Sequence, residues 1–73
     1  MTDNYINYDI SDNKIPDKME ILNNLGYKKD NIKCGYCNGH LNYDEAERAH
    51  IIPKNNGGSN KLNNLCLAHK ACN

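Results

Sequence analysis

The side chains with the most chemistry to offer in this chain of 73 residues are four cysteines and three histidines. Cys34 and Cys37 form a C-x2-C pair with Gly35 inside it and Gly39 just beyond, a spacing that lets two thiolates converge on one ion around a tight turn. A closed tetrahedral site needs a second pair. Cys66 and His69 are spaced C-x2-H while His69 and Cys72 are spaced H-x2-C, so two overlapping choices stand open. We take His69 with Cys72, because residues three apart in a first helical turn share a face and "HKACN" lies where a helix could begin. Cys66 in "NLCLA" is then a small buried hydrophobe, and His40 an exposed polar residue after the knuckle.

His50 is the remaining imidazole, in "AERAHIIPKNNGGSN", between a short apolar run and a glycine-rich turn. The elements around it read as a hairpin: "RAHII" as the first strand, Pro53 to Asn60 as the loop, and "LNNLCLA" as the return. Gly57 and Gly58 allow the loop to reverse sharply. Upstream, "IPDKMEILNNLGY" carries a helix signature over residues 16–25. Pro16 suits the first turn, Asp17 and Glu20 complement the positive end, and Gly26 supplies a stop. Met19, Leu22 and Leu25 fall on one stripe with Ile21 beside it. Residues 1–15 are polar, rich in Asp and Asn, and read as loosely draped. The expected organisation is therefore an N-terminal extension over 1–32 with a short helix, and a metal-stapled domain over 33–73.

Length makes the staple necessary. A single domain of this size buries too little apolar surface to stand far above the loss of conformational entropy, and with no Trp and no Phe its core must come from Leu, Ile and Tyr. "MTDNYINYDI" lacks the basic and then apolar pattern of an export signal, and no run approaches the roughly 18 apolar residues of a membrane span. The expectation is an intracellular protein whose thiols hold zinc rather than forming disulfides. Bound zinc would supply folding free energy directly. Zero net charge excludes polyanion binding by bulk electrostatics alone, though not a local basic face. Asparagine fills 14 of the 73 positions, so motifs that contain Asn match by accident more easily than usual.

Taken together, "CGYC", "AHIIPKNNGG" and "NNLCLAHKACN" resemble the HNH endonuclease family, the zinc-stapled branch of the ββα-metal nucleases, over Cys34 to Asn73. The knuckle, His-Ile-x-Pro, Gly-Gly, Asn-Leu and a ligand pair ending in Cys-Asn occur in the family's order. The resemblance implies a small α+β fold, a zinc-stapled, treble-clef-like ββα-metal finger, here with an N-terminal helix. It implies an enzyme that hydrolyses phosphodiesters in DNA, ahead of RNA. His50 would be the general base, Asn64 would brace the loop and orient His50, and Asn73 would offer its amide oxygen to a divalent ion such as Mg²⁺. Cys34, Cys37, His69 and Cys72 would hold a structural zinc. Family members often place Asp just before the catalytic His, where this chain has Ala49. Three accounts stand open: a neighbouring carboxylate substitutes, Glu47 being the best placed, two residues away on the same strand face; the chain is a natural or engineered inactive form; or this branch works with fewer protein ligands. Ala49→Asp is expected to restore a ligand.

The family's helix also continues past the position of Asn73, so either the sequence is a fragment or the helix at 16–25 covers that face. Lys54, Lys61, Lys70 and Arg48 are the candidates for backbone phosphate contacts. A defined cut site would need a targeting domain or a homodimer. The rival readings are a catalytically weak or inactive zinc-knuckle module that binds nucleic acid with the same fold, and a purely structural zinc domain.

Overall fold

A computed structural model describes residues 14–73. The reading of residues 1–15 therefore lies, apart from Lys14 and Ile15, outside the described residues. The fold is small α+β, with one α-helix and two two-stranded antiparallel sheets among the described residues.

Helix α1 spans Lys18–Leu25. Asp17 caps it: its carboxylate accepts from the Glu20 backbone N–H at 2.9 Å, and the Glu20 carboxylate accepts from the Asp17 N–H at 3.3 Å. This reciprocal box satisfies two donors that the first turn leaves without helical partners. Pro16 consequently stands one residue before the cap, outside the first turn where the sequence reading put it. Gly26, at φ +82°, ends the helix in the left-handed conformation. The buried face also differs from the expected stripe. Ile21 and Leu22 are enclosed, while Met19 and Leu25 remain 37% exposed. A helix of two turns laid over a ribbon only two strands wide, with strands roughly 4.8 Å apart, covers its middle turn and leaves its ends overhanging.

Strands β1 (Ile32–Lys33) and β2 (His40–Leu41) pair as Ile32 with Leu41 and Lys33 with His40, and the cysteine knuckle is the turn between them. Strands β3 (Glu47–His50) and β4 (Leu65–Ala68) pair as Glu47 with Ala68, Arg48 with Leu67, Ala49 with Cys66 and His50 with Leu65. Side chains alternate across β4. Leu65 and Leu67 join Ile21, Leu22, Ile32, Leu41 and Ala46 in the main core, with Tyr27, Tyr43 and Leu62 packed at its margin. Cys66 and Ala68 face the other way, into a smaller layer with Cys34 and Ala49. The uninterrupted apolar run "LCLA" is thus buried on both faces.

The hairpin is shorter than "RAHII" and "LNNLCLA" imply. Ile51 and Ile52 leave the ladder exposed, and Leu62–Asn64 forms a 3-10 turn before β4 begins. The cause is Asn64, whose side chain takes over where a strand residue would pair: its Oδ1 accepts from the Ile52 N–H at 2.8 Å. Within the loop, Gly57 has φ +90° and closes a 3-10 turn at Lys54–Asn56. Gly58 is required for a different reason, since a Cβ there would collide with the Ile52 carbonyl oxygen. Among the described residues, no helix is long and apolar enough to cross a membrane.

Candidate metal centre and catalytic face

Cys34, Cys37, His69 and Cys72 bring their ligand atoms within 4.8 Å of one another. The knuckle is built by backbone donors. The Tyr36 and Cys37 N–H groups point at Cys34 Sγ (3.4 and 3.5 Å), the Gly39 N–H points at Cys37 Sγ (3.4 Å), and the Cys34 N–H bonds the Gly39 carbonyl (2.9 Å). The opposite pair comes from the turn after β4, where the Cys72 and Asn73 N–H groups return to the His69 carbonyl. Gly35 seats the knuckle on β4 through its N–H to Leu67 O at 2.9 Å. A Cβ on Gly35 would lie 2.6 Å from Cys66 Sγ, so glycine lets Cys66 fit beneath the turn.

The chemistry of the donor set fits a cation. Burial pushes the Cys34 thiol up, but the backbone N–H donors of Cys37, His69 and Tyr36 outweigh it and bring it down from 9.0 to about 6. Cys72 is exposed as a residue, yet its sulfur is turned into the cluster. Desolvation there, together with the neighbouring Cys37 and Cys34 sulfurs, pushes its thiol up to about 11. Cys34 thus ionises readily, while Cys72 resists doing so until positive charge enters. His69 Nε2 lies 2.7 Å from the His40 carbonyl. A carbonyl only accepts, so Nε2 carries the proton, and Nδ1 faces Cys37 Sγ at 3.4 Å and Cys72 Sγ at 3.8 Å. That carbonyl also raises the His69 pKa. This is the usual way a ligating imidazole is oriented. His40 contributes through its backbone, a role invisible in the residue type. Cys66 stands outside the cluster, buried against Ala49, Ala68 and Cys34, its thiol pushed up by burial and by Cys34.

The second group of residues gathers along β3. His50 closes the strand, half-buried, and the Tyr36 hydroxyl donates to its carbonyl at 3.0 Å. Its ring meets a residue that the sequence reading did not single out: His50 Nε2 lies 2.8 Å from Asn60 Oδ1, and Asn60 is 4% exposed. Asn64 braces the loop on three sides, accepting from the Ile52 N–H and donating to the carbonyls of Ile52 (3.1 Å) and Ser59 (2.8 Å). These bonds go to backbone, and the ring's side-chain partner is Asn60. Asn73 donates through Nδ2 to Glu47 Oε1 at 3.3 Å and to the Arg48 carbonyl at 3.2 Å, which docks it on the strand that carries His50.

Two readings need adjustment. Ala49 is enclosed with Cys34, Cys66 and Ala68, so Ala49→Asp would put a carboxylate into a packed layer beside thiols; loss of stability is the expected first effect, ahead of any gained ligand. Arg48, offered as a phosphate contact, has a structural role as well, because its Nη1 donates to the carbonyls of Ile15 and Pro16 and ties the lead of α1 to β3. Lys54, Lys61 and Lys70 are exposed, as expected.

Fold and site together define a small α+β domain whose chain reverses around a Cys3His site able to hold a zinc ion. A family model described as HNH endonuclease matches residues 34–73, more than half of the chain, and the chain belongs to that family. No curated protein and no solved structure matches it.

Proposed function

We propose that the chain is a metal-dependent endonuclease that hydrolyses phosphodiester bonds in DNA, with His50 as general base. The observation that supports this reading is the gathering along one short strand of residues far apart in sequence: His50 closes β3, Asn64 ties the loop that leaves it, and Asn73 docks at the strand's start against Glu47 and the Arg48 carbonyl. The fold is read as a ββα-metal finger, with β3 and β4 as its strands and the turn at His69 to Asn73 as the start of its α element. Cys34, Cys37, His69 and Cys72 would hold a structural zinc, since four protein ligands fill a tetrahedral shell and leave no open position for substrate.

His50 takes a proton from water as the water oxygen attacks phosphorus; the P–O bond to the 3′ oxygen breaks and that oxygen takes up a proton from solvent, giving a 5′ phosphate and a 3′ hydroxyl. An imidazole suits the step because its ordinary pKa lies near neutrality. Glu47 and Asn73 would hold a divalent ion, Mg²⁺ in the first instance, which when bound supplies charge neutralisation at the phosphate and the departing oxygen. With Asn73 Nδ2 donating to Glu47 and Arg48, its amide oxygen is the atom to offer such an ion, and two protein ligands are in keeping with how Mg²⁺ is usually held. Exposed Lys54, Lys61 and Lys70 are the backbone contacts.

The test is nicking of supercoiled plasmid by the zinc-loaded chain. Cleavage that depends on Mg²⁺ and disappears in a folded His50→Ala variant is the expected result. Binding of DNA without cleavage, or undiminished cleavage in His50→Ala, overturns the reading.

A further inference from the structure

Asn60 sits in "GGSN" with nothing in its residue type to mark it among the other asparagines, yet it is one of two buried polar residues among those described and the only one whose side chain meets the His50 ring. We propose that Asn60 is the positioning residue of His50: its amide oxygen holds the imidazole in one orientation and one tautomer, so that Nδ1 is the nitrogen that accepts the proton of the attacking water. The inference rests on the reading of His50 as general base.

An amide oxygen has no hydrogen to give, so a contact of 2.8 Å between Asn60 Oδ1 and His50 Nε2 requires the proton to be on Nε2. In the neutral ring, Nδ1 is then the nitrogen with a lone pair for catalysis. The bond also stabilises the imidazolium that forms once the proton is taken, because the donor becomes charged while the acceptor stays in place. Both partners are anchored independently. His50 is fixed by the Tyr36 hydroxyl on its carbonyl and by its pairing with Leu65. Asn60 follows Ser59, whose carbonyl is gripped by Asn64 Nδ2 at 2.8 Å. The brace at Asn64 therefore reaches the imidazole through Ser59 and Asn60, and a fault in it reaches the ring as a misplaced Asn60. The Tyr36 hydroxyl bonds the His50 carbonyl, and Arg48, two residues before it on the same strand face, is turned to Ile15 and Pro16. Both are unchanged in the variants below.

The experiment uses the zinc-loaded full chain, labelled with 15N at histidine, and follows His50 by NMR without DNA, alongside plasmid cleavage by the same preparations. In the wild type the expected spectrum shows Nε2 protonated and Nδ1 unprotonated above the ring's titration. A spectrum with the proton on Nδ1 overturns the proposal. Asn60→Asp keeps an acceptor and adds a negative charge, so the His50 midpoint is expected to rise, and the acid-side limb of the kcat/KM profile, where activity climbs as the base loses its proton, should move to higher pH with it. Asn60→Leu removes the acceptor without charge. Its expected effect is a fall in kcat on the order of tenfold to a hundredfold, part of what a general base contributes, with KM little changed. A His50 midpoint unmoved in Asn60→Asp, or an unchanged kcat in a folded Asn60→Leu, overturns the proposal. Failure of the wild type to cut DNA sinks the nuclease reading instead and leaves the NMR result standing on its own, so the two failures are told apart.

Discussion

Removing the carboxamide of Asn64 separates a structural brace from a catalytic group. Asn64 is 7% exposed, and its side chain makes three hydrogen bonds to the backbone of Ile52 and Ser59. At a net value of about 1 kcal/mol per bond, Asn64→Ala loses about 3 kcal/mol. Ile52 is half exposed, so water can recover part of this, while the void left at a buried site adds to it. The expected cost is about 2–4 kcal/mol, or a fall of roughly 10–25 °C in Tm for a domain of this size. The isostere Asn64→Asp sharpens the test. It keeps the acceptor for the Ile52 N–H but turns a carboxylate oxygen toward two carbonyl oxygens, which disfavours the charged form and raises the folded-state pKa of the new carboxyl above its unfolded value of about 3.9. Its stability relative to wild type is then fully present below the unfolded pKa and lost as pH rises through the folded one. Urea unfolding of zinc-loaded protein, read as the difference from wild type at each pH, should show an Asn64→Asp penalty that grows as pH rises from about 3.9 through the raised folded-state value and then levels off, and an Asn64→Ala penalty that is flat. If Asn64→Ala stays within about 0.5 kcal/mol of wild type while cleavage is lost, the brace is refuted and Asn64 acts on substrate.

Cys34→Ser should abolish stoichiometric zinc and unfold the chain, as chelation of zinc should, whereas Cys66→Ser should keep its zinc and lose only packing; metal content and circular dichroism on the same samples check the order, and the reverse order refutes the ligand set. Gly57→Ala should cost about 1–2 kcal/mol for its left-handed backbone, and Gly58→Ala more, because the Ile52 carbonyl and Asn64 must move to admit a methyl; thermal unfolding that ranks them the other way contradicts the loop geometry. Glu47→Ala and Asn73→Ala should each raise the Mg²⁺ concentration for half-maximal cleavage by about tenfold or more at unchanged His50 titration, and a metal dependence that ignores both substitutions removes them from the catalytic site.

What the sequence made legible was whatever depends on spacing along the chain. The four ligands follow from two short intervals, and the choice of His69 with Cys72 over Cys66 with His69 agrees with the cluster because Cys66 alternates to the packed face of β4 beneath Gly35. Helix α1 was found to within two residues, since Asp17, Glu20 and Gly26 act locally. Its buried face was missed, because Met19 and Leu22 differ in nothing a periodicity can register; which one the hairpin covers is decided by where α1 crosses it. The hairpin was drawn too long for a related reason. Ile51 and Ile52 have strand propensity, but the side chain of Asn64 takes the bonds that would have continued the ladder.

Asn60 and His40 show the same limit at the level of the site. His69 and His50 each have an oxygen on Nε2, the His40 carbonyl for one and the Asn60 amide for the other. The device is common to both rings and leaves Nδ1 as the basic nitrogen in each. For His69 that nitrogen opens onto Cys37 and Cys72, and burial together with the neighbouring sulfurs pushes the Cys72 thiol up, so the ring is placed to serve as a ligand once a cation enters. For His50 the ring hangs at a strand end whose loop is tied by Asn64, outside the four-ligand cluster, and under the proposed function the same nitrogen would take a proton from water. Imidazole chemistry does not distinguish a ligand from a base here. The distinction lies in which groups the fold brings to Nδ1, and neither the backbone oxygen of His40 nor one asparagine among 14 announces that in the sequence.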